Sequence, residues 1–465
     1  MTWIASWLMS LRRNAGLTEV LTVHPTSALN GAIHPPGDKS ISHRSALLAA
    51  IASGQSKLEN FLQAGVTEKM LSALSRLGVE WHFSANALIV TGKGLDGLEA
   101  PLEPIDCGHS ATSMRMVAGL AAAAGLAVVL DGSPGLRRRP MERIVAPLQR
   151  MGVPVRSRNG RAPLVFERRT AGELLRGGTF PLPIASAQVK TCLLLAALAA
   201  REPVTVIEPG RSRDHTELLM AGLGRPLTRW QEAPDERFPH GRYFARLDAA
   251  SPFNLPPLSL TVPGDFSSAA FLIVAALITP ESQVSLEGVG LNPTRTGLLD
   301  ALTAMGAEIE IEFDEQAGLE PIGRITAHSS HLIGNSISGE IIVRMIDELP
   351  ILAVAAACAH GPTTVSDAGE LRYKESDRIG DLVRMLRQLG IAIDERPDGF
   401  FLPGGTPPIG GRIQPAGDHR LALAAAVAGL ASRDSVVVEE DGIIAESFPG
   451  FQSILKGLGA RLDAG

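Results

Sequence analysis

Apolar positions along this chain fall into two helical patterns that alternate. One is apolar on every side: Ala46 to Ser53 after PPGDKSISHR, and the Ala-rich runs of DCGHSATSMRMVAGLAAAA, PIASAQVKTCLLLAALAA, VPGDFSSAAFLIVAALI, MIDELPILAVAAACA and PAGDHRLALAAAVAGLA. A helix without a polar face belongs inside a core. The other pattern is amphipathic and stops at a Leu-Gly or Met-Gly pair, with the glycines at Gly78, Gly152, Gly224, Gly306, Gly390 and Gly459. Glycine just past a helix takes the left-handed conformation at little cost, so these pairs predict helix ends. Most are followed by a strand-like alternation: VEWHF, VPVRSR, AEIEIEF and IAIDE.

The glycines are spaced by 74, 72, 82, 84 and 69 residues, so one unit recurs six times. That period is too long for an ordinary solenoid repeat and predicts a unit of strands plus two helices. If the Ala-rich helices fill a core and the amphipathic ones cover it, the strands form an outer layer. PPGDKS and VPGDFS are the closest pair of copies, 227 residues apart, and they divide the six into two sets of three. The predicted domains are residues 36–262, inserted, and residues 1–35 with 263–465, discontinuous. Two strand-like segments, Glu19 to Val23 and Ala28 to Ile33, are too little for a domain and join the C-terminal half. The Pro-rich stretch Ser251 to Pro257 leads back to that half, and two adjacent crossings predict a hinge.

Near the start, Trp3, Ile4, Trp7, Leu8 and Leu11 share one helical face, but Arg12 and Arg13 follow the apolar stretch where an export signal carries its charge first. An extra surface helix, or an upstream start-site choice, is the expectation.

Composition narrows the function. With 465 residues and 45% hydrophobic content the chain can bury large cores, and a net charge of -6 argues against nonspecific nucleic-acid binding. Cys107, Cys192 and Cys358 are odd in number and far apart, which predicts reduced thiols in a cytoplasmic protein and no Cys/His zinc site. Apolar runs break before membrane-spanning length, so no transmembrane helix is expected.

The candidate chemistry sits where polar loops enter the buried helices. Lys39, Ser40 and Arg44 stand at a helix N-terminus, where cations oppose the macrodipole unless an anion lies between them. Arg137 to Arg139 are either a solvated loop or, for Arg139 ahead of Pro140, a directed side chain. Ser186 and Gln188 suit either a helix cap or a ligand contact. Asp347 and Glu348 enter a buried helix as caps, as a desolvated general base, or both. Lys374 and Arg378 read as like charges on one helical face, with Glu375 between them, and Arg420 repeats the placement of Arg44. Basic groups outnumber acids at these junctions and come from both halves, which predicts a polyanionic substrate held between two domains.

Several ordered motifs then resemble the 5-enolpyruvylshikimate-3-phosphate synthase family, from about Leu21 to the C-terminus: PGDKSISHR, RPM after Arg138, ASAQVK, SRDHTE, NPTRTG, IDELPILAVAAA, KESDR and DHRLA. The resemblance implies an inside-out α/β barrel of two domains, each with three βαβαββ units, helices inside and sheets outside. It implies transfer of the enolpyruvyl group of phosphoenolpyruvate to the 5-hydroxyl of shikimate 3-phosphate, with no metal or organic cofactor, by a monomer. Lys39, Ser40, Arg44, Ser186, Ala187 through its backbone, Gln188, Arg213, Asp347 and Lys374 match shikimate 3-phosphate positions. Lys39, Ala111, Arg139, Gln188, Arg378 and Arg420 match phosphoenolpyruvate positions. Asp347 and Glu375, with Lys39 nearby, match the acid–base groups. Ala111 stands where glyphosate-sensitive members carry Gly, which implies the tolerant, class II type.

His109, Glu370 and Glu446 depart from the Asn, Asn and Lys of many members, and their roles stay open. A rival is the related transferase acting on UDP-N-acetylglucosamine, which relies on a reactive Cys in a loop that is cysteine-free here, Gly132 to Pro140. A second rival, a noncatalytic polyanion clamp, has no use for Asp347 and Glu375.

Overall fold

The computed structural model describes residues 20–464 apart from 171, 226, 237, 239, 240, 250–253, 316, 317 and 440, so the helix expected near residues 3 to 11 lies outside the described residues. Six helices enter the cores: Lys39–Ala50, Ala111–Ala124, Ala187–Ala197, Phe266–Ile278, Leu349–Cys358 and His419–Leu430. Their all-round apolarity is matched by burial, every residue from Phe266 to Leu277 being buried. The glycines that end the second helix of each unit all have positive φ, from 75° at Gly224 to 107° at Gly459.

The described strands form six four-stranded sheets of one design. In each, a first strand pairs in parallel with the strand that follows the buried helix, and two antiparallel strands complete the sheet, a hairpin in five of the six and Val20–Val23 with Leu462–Ala464 in the other. Ser53–Glu59, for example, pairs antiparallel with Ala87–Lys93, which pairs antiparallel with Glu80–Ser84. The outermost hairpin strands face solvent, Glu308–Phe313 being exposed along most of its length. Helices are therefore inside and sheets outside, because the helices have no polar side to show and the strands do.

Two hydrophobic clusters result. One gathers buried residues between Ile41 and Val262, the other gathers Leu21, Val23 and Leu29 with residues from Phe266 to Leu462. Val20–Val23 sits between Val436–Glu439 and Leu462–Ala464, and Asn30–Ile33 pairs with Gln283–Gly290, so both N-terminal strands complete sheets of the second cluster. The chain crosses between clusters twice, side by side: Asp38 donates its amide to Pro263 O and Asp265 donates to Pro36 O, each at 2.7 Å.

No helix among the described residues is long and apolar enough to cross a membrane.

Inside the first cluster the helices Ala111–Ala124 and Ala187–Ala197 meet backbone to backbone. A Cβ on Gly119 would lie 2.4 Å from the carbonyl oxygen of Cys192 and 2.9 Å from its Cα. Gly119→Ala gains about 1 kcal/mol of helix propensity but forces the helices apart, and is expected to lower stability by roughly 1–3 kcal/mol net. Urea denaturation with an unchanged m-value checks this.

Candidate active site

N-termini of buried helices from both halves converge on one cleft. Asp38 caps the Lys39–Ala50 helix by accepting from the Ile41 amide at 2.8 Å, which fixes Lys39 and Ser40 at its first turn. Ser110 caps Ala111–Ala124 in the same way, through the Ser113 amide. Asp418 caps His419–Leu430 through the Arg420 amide. A cavity of about 270 Å3 lies between them, with Lys39, Ser40, His109, Ala111, Arg139, Gln188 and Arg213 on one side and Asp347, Lys374, Glu375, His419, Arg420 and Glu446 on the other. A second cavity of about 420 Å3 adjoins it, shares Arg139, Gln188, Arg213, Asp347 and Lys374, and adds Ser186, Ala187 and Glu370.

Asp347 is the electrostatic centre. It accepts from Arg213 Nη2 at 2.7 Å, Lys374 Nζ at 3.3 Å and Arg378 Nη1 at 3.5 Å, with Arg420 Nη2 at 3.7 Å. Burial works to raise its pKa and is the largest single influence, yet Lys374, Arg420, Arg213 and Arg378 together hold the carboxyl well below the usual range. Glu375 is held down in the same sense, burial being outweighed by Arg378, Arg139, His419 and Lys39. Desolvation alone would raise both, but the surrounding cations dominate. Anionic ligands would neutralise those cations and let both pKa values climb.

Burial, followed by the positive charge of Arg420, lowers the pKa of Lys39. His419, buried between Lys39 and Arg420, is pushed well below its ordinary value and stays neutral.

Several local readings of the sequence need correction. Lys374 and Arg378 do not share a helical face, because Lys374 closes the 3-10 turn Gly369–Tyr373 and the α-helix begins only at Arg378. They meet instead at Asp347. Neither Asp347 nor Glu348 caps the Leu349–Cys358 helix through its side chain; Glu348 accepts from Ser267 Oγ and Asp347 faces the cleft. Ser186 stands at the N-cap position without a side-chain cap bond.

Two predicted ligand residues lie outside the cavity walls. Arg44 is buried between helices and spends its donors on Thr216 Oγ1, Ser40 O and Thr191 Oγ1 at 2.9, 2.9 and 3.0 Å. Arg378 lies behind the carboxylates, bonded to Asp418 at 2.8 Å and to Glu375. A buried guanidinium needs counter-charges or acceptors around it, and here the protein supplies them. Of the open positions, His109 Nδ1 pairs with Ser133 Oγ at 3.0 Å, and Glu370 pairs with Arg143 across the cleft.

Arg115 was missed by the sequence reading. Its Nη1 donates to Gln188 Oε1 at 2.6 Å and its Nη2 to Pro140 O at 3.0 Å, which orients the Gln188 amide and the Arg139 loop together. A lone cation in the apolar run MRMVAGLAAAA was the available signal. None of the three cysteines lines either cavity; all are unpaired, and burial pushes the Cys107 and Cys358 thiols up to about 12. A thiolate nucleophile is disfavoured at these positions.

The family model of EPSP synthase (3-phosphoshikimate 1-carboxyvinyltransferase) matches residues 23–455. The chain belongs to that family. It is 43% identical over 432 residues to a 3-phosphoshikimate 1-carboxyvinyltransferase of Herpetosiphon aurantiacus, covering 92% of this chain and 97% of the relative. It is 44% identical over 440 residues to one of Xanthomonas campestris pv. campestris, covering 94% and 97%. An EPSP synthase structure from Acinetobacter baumannii superimposes with a TM-score of 0.82 at 35% identity, covering 96% of this chain and all of the other, 100%. The enolpyruvyl transferase NikO of Streptomyces tendae, at 20% identity and a TM-score of 0.75 over 96% of this chain and 99% of its own, shares the fold. By its family the chain is an enolpyruvyl transferase of the shikimate pathway, acting on small molecules.

In this member the depressed pKa of Lys39 has a direction that can be read in kinetics. A lysine with a lowered pKa loses its proton as pH rises, before the ordinary 10.5 is reached. The alkaline limb of kcat/KM, which reports free-enzyme groups, is expected below that value, and Lys39→Arg should move it to higher pH. A pH profile of the two proteins checks this.

Proposed function

We propose that this cleft transfers the enolpyruvyl group of phosphoenolpyruvate to the 5-hydroxyl of shikimate 3-phosphate, releasing phosphate. Shikimate 3-phosphate lies against Lys39, Ser40, Ser186, the Ala187 backbone, Gln188, Arg213 and Lys374, with Arg44 behind Ser40. Phosphoenolpyruvate lies against Lys39, Ala111, Arg139, Gln188 and Arg420, and Arg378 reaches it by exchanging a carboxylate partner for the ligand. Asp347 takes the proton of the attacking hydroxyl. Glu375, with Lys39, places the proton on the methylene carbon and removes it when phosphate leaves. The cations stabilise developing charge and hold two anions in one orientation, which lowers the entropic barrier.

The observation that carries this reading is the pair Asp347 and Glu375, two carboxylates set in an enclosed cavity among cations from both halves. Both carboxylates border the cavity itself, within reach of a bound molecule. We take residues 36–262 as one domain and 1–35 with 263–465 as the other, closing about the two crossings, in a monomeric cytoplasmic enzyme. The separate hydrophobic clusters and the unpaired thiols support that division and that compartment.

Phosphate release that requires both substrates tests the activity. Asp347→Asn keeps the shape of the side chain, and is expected to lower kcat roughly 10²–10⁴-fold while moving KM far less. Steady-state kinetics on phosphate release check both numbers, and wild-type turnover would remove Asp347 from the mechanism.

Ala111 supports the glyphosate-tolerant reading. It is the first residue of its helix, buried, and its methyl group borders the cavity. Phosphoenolpyruvate is shorter than glyphosate, so a methyl group there discriminates against the inhibitor by sterics. Overpacking of roughly 1–3 kcal/mol corresponds to about five- to 150-fold in affinity. Ala111→Gly should gain glyphosate inhibition of that order at fixed phosphoenolpyruvate concentration; equal inhibition of the two proteins would show that Ala111 is not the gate.

A further inference from the structure

We infer that Arg143 and Glu370 form a latch across the cleft, which positions Arg139, Lys374 and Glu375 by holding the two halves closed. Arg143 Nη1 and Nη2 donate to Glu370 Oε1 and Oε2 at 2.6 and 3.1 Å, a two-pronged pair joining residues 227 apart in the chain. Planar fork-to-fork geometry of this kind fixes orientation as well as distance. Arg143 stands on the helix Glu142–Arg150, one turn beyond Arg139. Glu370 stands on the turn Gly369–Tyr373, directly ahead of Lys374 and Glu375. The Tyr373 ring lies 6.0 Å from the Arg143 guanidinium and flanks the pair. The latch therefore joins the two short segments that carry the ligand-facing groups.

Two other ion pairs join the halves at ligand-facing groups, and both partners of each line the cavities, whereas of the latch only Glu370 does; the buried pairs Arg295–Asp38 and His215–Glu320 join the halves away from both cavities. Arg213 with Asp347 at 2.7 Å and Arg139 with Glu375 at 3.4 Å are pairs that an arriving anion competes for. Arg143 lines neither cavity. Its bond to Glu370 can persist while those two pairs exchange their carboxylates for ligand, so it can hold the segments of Arg139 and Lys374 together through the binding event. The side chains are 21% and 32% exposed, so solvent screens the pair only in part. Glu370 thereby acquires a role.

The thermodynamics set the readout. A ligand that needs the closed form binds with an apparent constant divided by the closed fraction, so weakening the latch raises KM while leaving kcat of the closed complex nearly unchanged. A residue that only supports folding would lower the unfolding temperature without that split. The inference rests on the site reading above, which Arg139→Gln tests separately: loss of activity there is required, and wild-type activity would sink the site reading itself.

The experiment is a double-mutant cycle with Glu370→Arg, Arg143→Glu and the reciprocal swap of both, together with the mild Glu370→Gln. KM and kcat are measured for shikimate 3-phosphate and phosphoenolpyruvate, with thermal unfolding of each ligand-free protein. Each reversal, and to a smaller extent Glu370→Gln, is expected to raise KM roughly three- to tenfold with kcat within about twofold, and the swap to recover most of the loss. Wild-type KM in Glu370→Gln and in both reversals, or a swap no better than the worse single reversal, would overturn the latch. If a reversal fails to fold, Glu370→Gln alone decides, since an unchanged KM in that folded protein is enough to reject the proposal.

Discussion

Two backbone crossings and one buried arginine hold the two halves in register. Asp38 and Asp265 stand at equivalent places in PGDKS and PGDFS, each amide bonded to the carbonyl of the other strand's segment. Arg295 lies between their carboxylates, 2.6 Å from Asp265 and 3.4 Å from Asp38, and its own pKa is raised by that company against the opposing pull of burial. Each aspartate also caps the helix that follows it. The same two side chains therefore end a crossing, begin a buried helix and neutralise the charge between them. Removing one would leave a buried charge without its partner, which costs far more than the bond itself.

From that frame the chemistry of the cleft follows. Helix N-termini aimed at one place create a positive potential, and the cations placed there increase it. Asp347, Glu375 and Asp418 balance that charge. The carboxylates proposed for proton transfer are thus also counter-ions of the clustered cations. In the proposed mechanism substrate anions compete for those partners, so binding and the readiness of the acid–base groups are linked through one set of guanidinium and ammonium groups. Arg115 and Arg44 extend the arrangement outward, holding Gln188 and Ser40 from behind.

The local errors in the sequence reading share one cause. Treating Lys374 and Arg378 as an i,i+4 pair assumed a continuous helix through YKESDRIG, whereas the backbone turns at Lys374 and restarts at Arg378. Expecting Asp347 or Glu348 to cap a helix assumed that the nearest amides were their best partners. Long-range partners won in both cases, Ser267 Oγ for Glu348 and four cations for Asp347. Helix-end propensity is worth about 1 kcal/mol, and a buried carboxylate facing several cations exceeds that easily.

What the sequence by itself determined is the repeat. All-round apolar helices must be buried, glycines after amphipathic helices must end them, and six copies in two sets of three leave little choice of architecture. The groups at each loop–helix junction are also legible there, because each follows from local pattern and spacing. Only the tertiary structure decided which of those groups face the cleft and which stand behind it. Arg44 and Arg420 both follow a GD turn into a buried helix, yet Arg44, six residues past its capping Asp38, is enclosed by Thr216, Thr191 and Ser40, while Arg420, two past Asp418, borders the cavity beside Asp347. The pairing of Arg143 with Glu370 was likewise invisible, since residues 227 apart meet only when two separately built halves are brought together. Local pattern sets which elements form, whereas partner choice among buried charges depends on distances that exist only after the halves have packed.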